Sequence, residues 1–462
     1  MAGVRMLFGP FHYLGDLLTD GKLYHYASGT TTLRNVYTDL LLTTTDDQPV
    51  LSDANGVFTF FADDSALYKF VLKDANDAVI STWDEWRVGY VLPATVVDVA
   101  TGTIGFDLIS DGTTEVWAPP PLTEEPILNG NMIVAQRGAS FAAIANQAYS
   151  LDRWEYTKVG TMVHTVTRDP TFPTVANSIG YLNWSLKLDL TTADVVLGAG
   201  DYCAIGQKIE AYRCHPLFSQ AWVLSFWVYA TKTGTHCVSI RNSGLDKSFV
   251  GEYTINTTLT WEYKTIAVSA LDILTGTFDV VNGIGYTISW AQAVGTTFHA
   301  STPEVWSSGN YLATSAQVND CDNIANDFNV TAVQIDLGTV ARPLRVQDFT
   351  TMLNECQRYY QKSYDYSTAP GTASTTIGAA LFRAHTTTHH HVIDFIRPMR
   401  AIPTMVAYNS SSGATGSWRD DTAAADRTVS FSGTSEKRTT GLAASSVDTN
   451  QMRAHWTAAA EL

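Results

Sequence analysis

The chain is short of charged residues, cysteine and long apolar runs. Charged residues make up 16% of its 462 positions, and 45 acidic against 29 basic residues leave a formal charge of −16. A negative field repels nucleic-acid phosphates and anionic lipid, so we expect no nucleic-acid partner. The longest apolar run, residues 221–230, is roughly half a membrane span, and we therefore expect no membrane insertion.

Cysteine is scarce and irregularly spaced. Cys203, Cys214, Cys237, Cys321 and Cys356 are odd in number and show no C-x-x-C spacing. The pattern argues against a zinc knuckle and a dense disulfide framework. It indicates small buried side chains in a protein made in a reducing cytoplasm. The first residues also lack the basic stretch and apolar run of a signal peptide.

Common catalytic motifs are missing as well. The sequence contains no G-x-S-x-G, no H-E-x-x-H and no phosphate-binding Gly-Lys-Thr loop, each of which places reactive groups in a fixed geometry. We therefore predict that the chain is not an enzyme and has no catalytic residues. A depolymerase built from carboxylates that are distant in sequence stays open as an alternative.

Glycine, threonine, serine and aromatic residues are prominent, as in proteins made mainly of strands and turns. At this length we expect two to four domains. In residues 1–90, Leu23 and His25 alternate with Tyr24 and Tyr26, a spacing of two that indicates a half-buried strand. The region is predicted to be a small N-terminal antiparallel β domain.

Residues 91–126 are predicted to hold one hairpin and a proline-rich linker, because Pro119–Pro121 cannot join a sheet ladder. Residues 127–346 then alternate repeatedly, as in Trp184–Leu190 and Ile284–Trp290. Many short strands without helical spacers predict a two-sheet sandwich, and we expect the jelly-roll version.

One helix is predicted at residues 347–364, with Asp348 as its N-cap and apolar residues at helical spacing from Phe349 onward. Residues 365–462 are predicted to be a small C-terminal β domain, with a strand pair around residues 389–395 and 404–408. The predicted fold class is therefore mainly β.

Several segments resemble a known family. The order of the matching segments is similar to the carbohydrate-binding-like jelly-roll module of many tailed-bacteriophage virion fiber (tail fiber) proteins. Residues 21–24, 27–32 and 68–74 also resemble a module near the N-terminus of phage tail components. The segments similar to the jelly-roll family are Ile127–Met132, Gln136–Gly138, Tyr149–Trp154, Leu224–Val228, Gly309–Ser315, Val333–Pro343, Cys356–Tyr364 and Pro398–Thr404.

The resemblance implies a structural protein of the virion, made in the host cytoplasm and usually a homotrimer. Residues 1–90 would be held by other tail or head proteins of the virion, and the sandwich would bind host surface polysaccharide during host attachment and receptor binding. Two alternatives keep the fold. The first is a head fiber, collar or adaptor with a purely structural role, and the second is a capsule-depolymerising spike.

Sugar rings need exposed aromatic platforms flanked by amides or carboxylates. Trp306, Asn310 and Tyr311 lie in turn-like chain, where binding residues are often carried, and they are our candidate ligand-binding residues. The alternative is that Trp306 and Tyr311 cover the end of a strand or contact a neighbouring subunit.

His389 and His391 would share one face of a strand. In a trimer, three such pairs could hold a divalent transition metal on the axis, as a His-x-His element does in some phage fibers. The alternative is a set of solvent-facing or inter-subunit histidines. We expect no other cofactor.

Overall fold

The computed structural model describes residues 3–8, 12–13, 16–39, 41–63, 67–87, 107–110, 115–118, 122, 124–174, 182–345, 348–383, 388–444 and 449–462. Strands dominate throughout, which confirms the predicted mainly β fold class. The chain divides into two compact units, Met1–Gly102 and Thr103–Leu462.

The first unit contains a four-stranded antiparallel sheet in the order β5-β4-β7-β8, with the two-stranded pairs β1-β6 and β2-β3. The predicted alternation is confirmed, because Leu23 and His25 are buried against Phe70 and Leu72 of the neighbouring strand. The strands are β1 (Gly3–Phe8), β2 (His12–Tyr13), β3 (Asp16–Leu17), β4 (Lys22–Ala27), β5 (Val50–Leu51), β6 (Phe58–Asp63), β7 (Leu67–Lys73) and β8 (Val79–Arg87).

His25 makes the first unit sensitive to acid. Its imidazole is fully buried between Phe60 and Phe70, with ring centroids 4.6 and 5.4 Å away, and neither ring nitrogen has a hydrogen-bond partner. Burial lowers the pKa of His25 to about 4, and the nearby Gln48 side chain, which hydrogen-bonds the His25 backbone, opposes this only in part. The imidazole is therefore neutral in the folded unit at a pH between 4 and 6.5, whereas in the unfolded chain, where water surrounds it, its pKa is about 6.5.

We expect the first unit to lose stability as the pH falls from 6.5 towards 4. Because the folded pKa lies below the unfolded one, the contribution is complete above pH 6.5 and is lost in acid, about 3 kcal/mol in all. Calorimetry between pH 7 and 4.5 would measure it. His25→Leu should flatten the pH dependence of one transition, and His390→Leu at an exposed site should not. An unchanged slope in His25→Leu would refute the assignment.

The second unit begins with a hairpin, β9 (Asp107–Ser110) paired with β10 (Glu115–Ala118). The predicted hairpin lies here. Its turn, and most of the predicted linker at residues 91–106 and 119–121, fall outside the described residues.

Two antiparallel sheets follow and face each other. One has six strands in the order β11-β14-β15-β25-β17-β20, and the other has seven in the order β12-β13-β16-β21-β18-β19-β23. The strands of these two sheets and of a separate short pair, β22-β24, are β11 (Ser140–Phe141), β12 (Ala148–Tyr149), β13 (Glu155–Val159), β14 (Val163–Asp169), β15 (Ser185–Thr192), β16 (Tyr202–Glu210), β17 (Trp222–Ala230), β18 (Gly234–Asn242), β19 (Lys247–Ile255), β20 (Glu262–Val268), β21 (Ile284–Val294), β22 (His299–Ala300), β23 (Trp306–Ser308), β24 (Ala313–Thr314) and β25 (Asp327–Leu337).

The core of this sandwich is apolar and rich in aromatic rings. Trp290 lies at its centre, with Trp154 and Phe226 at centroid distances of 5.5 and 5.4 Å. Each strand turns alternate side chains inward, so the inward residues of both sheets meet and exclude water. The predicted two-sheet, jelly-roll-like sandwich is confirmed.

Helical structure in the second unit is short. Among the described residues of the sandwich lie α1 (Ala211–Cys214) and three 3₁₀ turns, His215–Leu217, Ile273–Thr275 and Thr296–Phe298. The predicted helix exists as α2 (Phe349–Cys356), and Asp348 caps it by accepting from the Thr351 amide at 3.0 Å. The prediction that it extends to residue 364 is wrong, because Tyr360–Lys362 leaves the helix to pair with β33 (Gln451–Ala459).

The C-terminal strands form one eight-stranded sheet in the order β26-β33-β30-β31-β32-β28, with β27 and β29 also paired to β33. The two predicted strands exist, but they do not pair with each other: β28 pairs with β32, and β29 with β33. The strands are β26 (Tyr360–Lys362), β27 (Ala380–Arg383), β28 (Thr388–Asp394), β29 (Thr404–Asn409), β30 (Ser417–Asp420), β31 (Ala425–Ser432), β32 (Arg438–Ala444) and β33 (Gln451–Ala459).

Sandwich, helix and C-terminal sheet belong to the same compact unit. Met352 and Cys356 of α2 pack on Leu128 and Val134 at the start of the sandwich. The predicted division of this unit into a sandwich at residues 127–346 and a C-terminal domain at residues 365–462 stays a prediction. None of the helices among the described residues has the length and hydropathy to cross a bilayer.

Candidate functional site

A cleft lies on the outer face of the seven-stranded sheet. It has a volume of about 290 Å³, at the small end of the range in which ligand sites are found. The lining residues come from β13, β16, β18 and β21 and from nearby loops: Gln147, Glu155, Thr157, Tyr202, Gly206, Lys208, Arg241, Asn242, Ser243, Leu245, Ile284, Thr287, Ser289, Phe298, Asn310 and Leu312.

The floor of the cleft is made of small residues. Gly206 pairs with Ser289 on the adjacent strand, and Thr287 follows two residues away on the same face. A Cβ on Gly206 would lie 2.3 Å from the Ile288 carbonyl oxygen, so only glycine fits there. Because these side chains are small, a ligand can approach the sheet closely.

One wall of the cleft carries an ion pair. The Lys208 ammonium donates to Glu155 Oε1 at 2.9 Å and to the Leu462 carbonyl oxygen at 3.1 Å. Glu155 is almost fully buried, whereas Lys208 is part-exposed. The two charges compensate each other. The pair therefore gives this wall of the cleft hydrogen-bond donors on Lys208 and an acceptor on Glu155.

The other cation in the cleft, Arg241, is not paired in this way. Its guanidinium donates to Asn310 Oδ1 at 3.0 Å and to Ser289 Oγ at 3.4 Å, and its buried Nε has no partner. Burial lowers the pKa of Arg241 to about 10, although Tyr202 and Glu155 oppose the shift. The side chain is therefore still a cation at neutral pH.

Aromatic rings close one end of the cleft. Tyr202 and Phe298 meet edge to face, with centroids 5.2 Å apart, and pack on a small apolar cluster that includes Leu312 and Ala291. The loop that carries Phe298 and Leu312 is held over the sheet by the short parallel pair β22-β24. The cleft therefore combines an apolar end with a polar floor.

Only one of the three predicted ligand-binding residues lines the cleft. Asn310 does so and contacts Arg241. Tyr311 packs beside it on the apolar cluster. Trp306 packs on Phe249 at 5.6 Å, and its indole N–H donates 2.8 Å to the Ser269 carbonyl, so it covers the core at the sheet edge. Whether the three bind a ligand stays a prediction.

Sequence reasoning missed Glu155, Lys208 and Arg241. Each occupies an outward position of a strand whose inward residues are apolar. The sequence signal that could have found them is a charged residue at an outward position of an otherwise apolar strand. It did not show that β13, β16 and β18 come together in one sheet, with β21 between β16 and β18.

The two predicted metal-binding histidines lie on β28 and point towards aromatic side chains. His391 stacks on Phe382 at 4.7 Å and meets Trp418 edge to face at 5.9 Å. His389 is buried beside the same Phe382 ring. Burial lowers the pKa of both imidazoles, which favours their neutral form. A metal on a trimer axis stays a prediction.

A different cluster brings metal-binding residue types together inside the sandwich. His164, Cys203 and Cys321 are all buried, and one donor atom from each lies within 4.8 Å of the others. Tyr156 fixes the imidazole through a 2.7 Å hydrogen bond to Nδ1. All five cysteines are buried and free, as their spacing indicated. A structural zinc ion takes four ligands and this cluster offers three, so we assign no metal to it.

No protein-family model matches the chain, and no curated protein matches it at a significant level. Solved structures that it resembles include the enzymatically active domain of tailspike protein 4 of bacteriophage CBA120, with 16% identity, 43% of this chain and 21% of that chain covered, and a TM-score of 0.24. Another is a family 11 carbohydrate-binding module from Clostridium thermocellum in complex with a mixed-linked tetrasaccharide, with 11% identity, coverage of 44% and 99%, and a TM-score of 0.23. A third is an exo-beta-agarase, with 11% identity, coverage of 46% and 26%, and a TM-score of 0.23.

These matches span about a fifth of the tailspike chain and about a quarter of the agarase chain. The sandwich is defined by the chain's own two sheets and the core between them. The prediction that the chain is not an enzyme is wrong as stated, because an enzymatically active domain and an agarase are among the similar structures. Enzymatic activity is therefore a matter for assay.

Proposed function

We propose that the chain is a virion fiber protein of a tailed bacteriophage that attaches the particle to host surface glycan through the cleft of its sandwich. It would act as a homotrimer, with residues 1–90 held by other virion proteins. The phage assignment is supported by the order of the jelly-roll-like segments in the sequence. The cleft is the single observation that supports glycan as the ligand.

The cleft matches the chemistry of a sugar. A pyranose presents hydroxyls around its rim and C–H groups on its faces. Arg241, Lys208 and Asn310 supply planar or charged donors for hydroxyls, and Glu155 supplies an acceptor. Tyr202 and Phe298 provide an apolar end. One such site binds weakly, and several copies on one particle would make attachment firm.

Filling the cleft should weaken glycan binding. Thr287 lies on its floor, with Lys208 and Arg241 as cross-strand neighbours. We expect Thr287→Trp to lower affinity for host polysaccharide at least tenfold, about 1.4 kcal/mol, because the indole would occupy the space of the sugar. The measurement is titration calorimetry of the full chain with polysaccharide purified from the host of the phage that encodes it.

The matched control is Thr265→Trp, on an exposed outward position of the six-stranded sheet. It should bind as the unmodified chain does, and thermal melting should show both variants folded. If folded Thr287→Trp binds the polysaccharide as tightly as the unmodified chain does, the cleft is not the glycan-binding site. Polysaccharide that shortens during the titration would identify a depolymerase in place of a simple attachment protein.

Attachment itself can be tested on cells. We expect the purified chain to block adsorption of the phage that encodes it, and Thr287→Trp to block much less. A chain that binds no host glycan and blocks no adsorption would favour the purely structural alternative, a head fiber, collar or adaptor.

A further inference from the structure

Arg241 is a part-buried cation of the cleft that has no carboxylate partner. A cation removed from water is unfavourable unless a carboxylate and hydrogen bonds compensate it. Several other buried or part-buried arginines of the second unit have such partners: Arg153 and Arg137 contact Glu461, and Arg345 contacts Asp336. Arg168 also lacks a carboxylate, but its guanidinium lies over the Trp184 ring at 4.3 Å and does not line the cleft. Among the described residues, no carboxylate lies within ion-pair distance of Arg241. The nearby Glu155 pairs with Lys208 instead.

The hydrogen bonding of Arg241 is also incomplete. A guanidinium offers five N–H donors, and this one makes two hydrogen bonds, of which the one to Ser289 is long at 3.4 Å. The side chain lines the cleft, and its charge faces space that a ligand would fill. It does so in a chain whose formal charge is −16.

We propose that Arg241 is the specificity residue of the cleft and selects an acidic glycan, one whose sugar carries a carboxylate as a uronic acid does. This inference rests on the proposed function. A sugar carboxylate would supply the missing counter-charge, and the planar guanidinium suits a planar carboxylate. Asn310 and Ser289, already bonded to Arg241, would hold its orientation and contact neighbouring hydroxyls.

The geometry favours a single acidic group. Lys208 is occupied by Glu155, so the cleft floor offers one uncompensated positive charge. A densely sulfated polysaccharide would need several uncompensated positive charges in the cleft. A sugar with one carboxylate per residue matches the site, and neutral neighbouring positions would rest on Thr287 and the Tyr202 end.

The test compares two probes that differ only in charge. One is an oligosaccharide that contains glucuronic acid, and the other is the same oligosaccharide with each carboxylate reduced to a primary alcohol. We expect the full chain to bind the acidic probe at least tenfold more tightly, and raised salt to narrow the difference. Sulfated and phosphorylated oligosaccharides of equal length are run in parallel.

Two variants separate charge from folding. Arg241→Gln should lose the tenfold preference, whereas Arg241→Lys should keep part of it, because the charge remains while the planar fork is lost. The melting temperature of Arg241→Gln should stay unchanged or rise, since an uncompensated buried cation has been removed. A purely structural arginine would show the opposite, a clear fall in melting temperature.

The outcomes are distinct. Equal binding of both probes, blocked by Thr287→Trp, would overturn the charge preference and leave glycan binding in place. Tighter binding of the sulfated or phosphorylated probe would also overturn the assignment to a carboxylate. Binding of no probe and of no host polysaccharide would defeat the proposed function itself.

Discussion

Replacing Glu461 by alanine is expected to destabilise the second unit by about 3–5 kcal/mol, the usual cost of breaking a buried ion pair from one side. Its carboxylate accepts from Arg137 at 2.8 Å and from Arg153. Both guanidiniums are buried and also lie 3.7 Å over tyrosine rings, Arg137 over Tyr360 and Arg153 over Tyr359. Without Glu461, Arg153 would keep no carboxylate partner and Arg137 would keep only Asp152, at 3.8 Å.

This cluster joins two parts of the second unit. Arg137 and Arg153 belong to the sandwich, whereas Tyr360 lies on β26 of the C-terminal sheet and Glu461 follows β33. We therefore expect the loss in Glu461→Ala to weaken the contact between sandwich and C-terminal sheet as well as overall stability. Denaturant titration would measure it through the midpoint and, if the transition splits, through the appearance of two steps.

The control is an exposed ion pair of the same type. Arg438 and Asp394 lie 3.0 Å apart with more than 60% of each side chain exposed. Asp394→Ala should change stability by less than about 1 kcal/mol. A loss below about 1 kcal/mol in Glu461→Ala as well would show that the cluster is not what holds the two parts together.

Trp290→Ala is expected to cost about 3–5 kcal/mol in the same titration. Trp290 is fully buried at the centre of the sandwich, and its ring contacts Trp154 and Phe226. Phe226 lies on β17 of the opposite sheet and Trp154 directly precedes β13, so truncation leaves a cavity that neither sheet can close alone. The more the surrounding side chains relax into the cavity, the smaller the loss of stability within that range.

Two comparisons sharpen this prediction. Trp290→Phe should cost much less than Trp290→Ala, because it keeps most of the ring and removes an indole N–H that has no hydrogen-bond partner. Trp227 lies on the outward face of the six-stranded sheet beside Tyr263, and Trp227→Ala should cost about 1 kcal/mol. Equal losses at Trp227 and Trp290 would contradict the assignment of the core.

The fold was largely readable from the sequence because alternation with a period of two is local. Each strand shows its inward and outward faces by itself, as Ile288 and Trp290 do. The end of α2 was not readable, since apolar residues continue at helical spacing past Cys356. Pairing with β33, about 100 residues further along, decides that Tyr360–Lys362 is a strand.

The cleft was much harder to predict. Glu155, Lys208, Arg241 and Thr287 lie on four strands that are far apart in sequence, and the sheet order β13-β16-β21-β18 is not the chain order. Alternation shows that each faces outward, but not that they are neighbours. Asn310 was predicted because turn-like chain often carries binding residues, and it does line the cleft. Trp306 shares that chain, yet its indole turns back onto the core.

A crystal structure of the full chain with a bound oligosaccharide from host polysaccharide would examine the central claim most directly. The account predicts a sugar seated against Thr287 and Ser289, with an acidic group within hydrogen-bond distance of the Arg241 guanidinium and a hydroxyl on Asn310. A saturating sugar bound on the six-stranded sheet or the C-terminal sheet, with the cleft of the seven-stranded sheet empty, would contradict it.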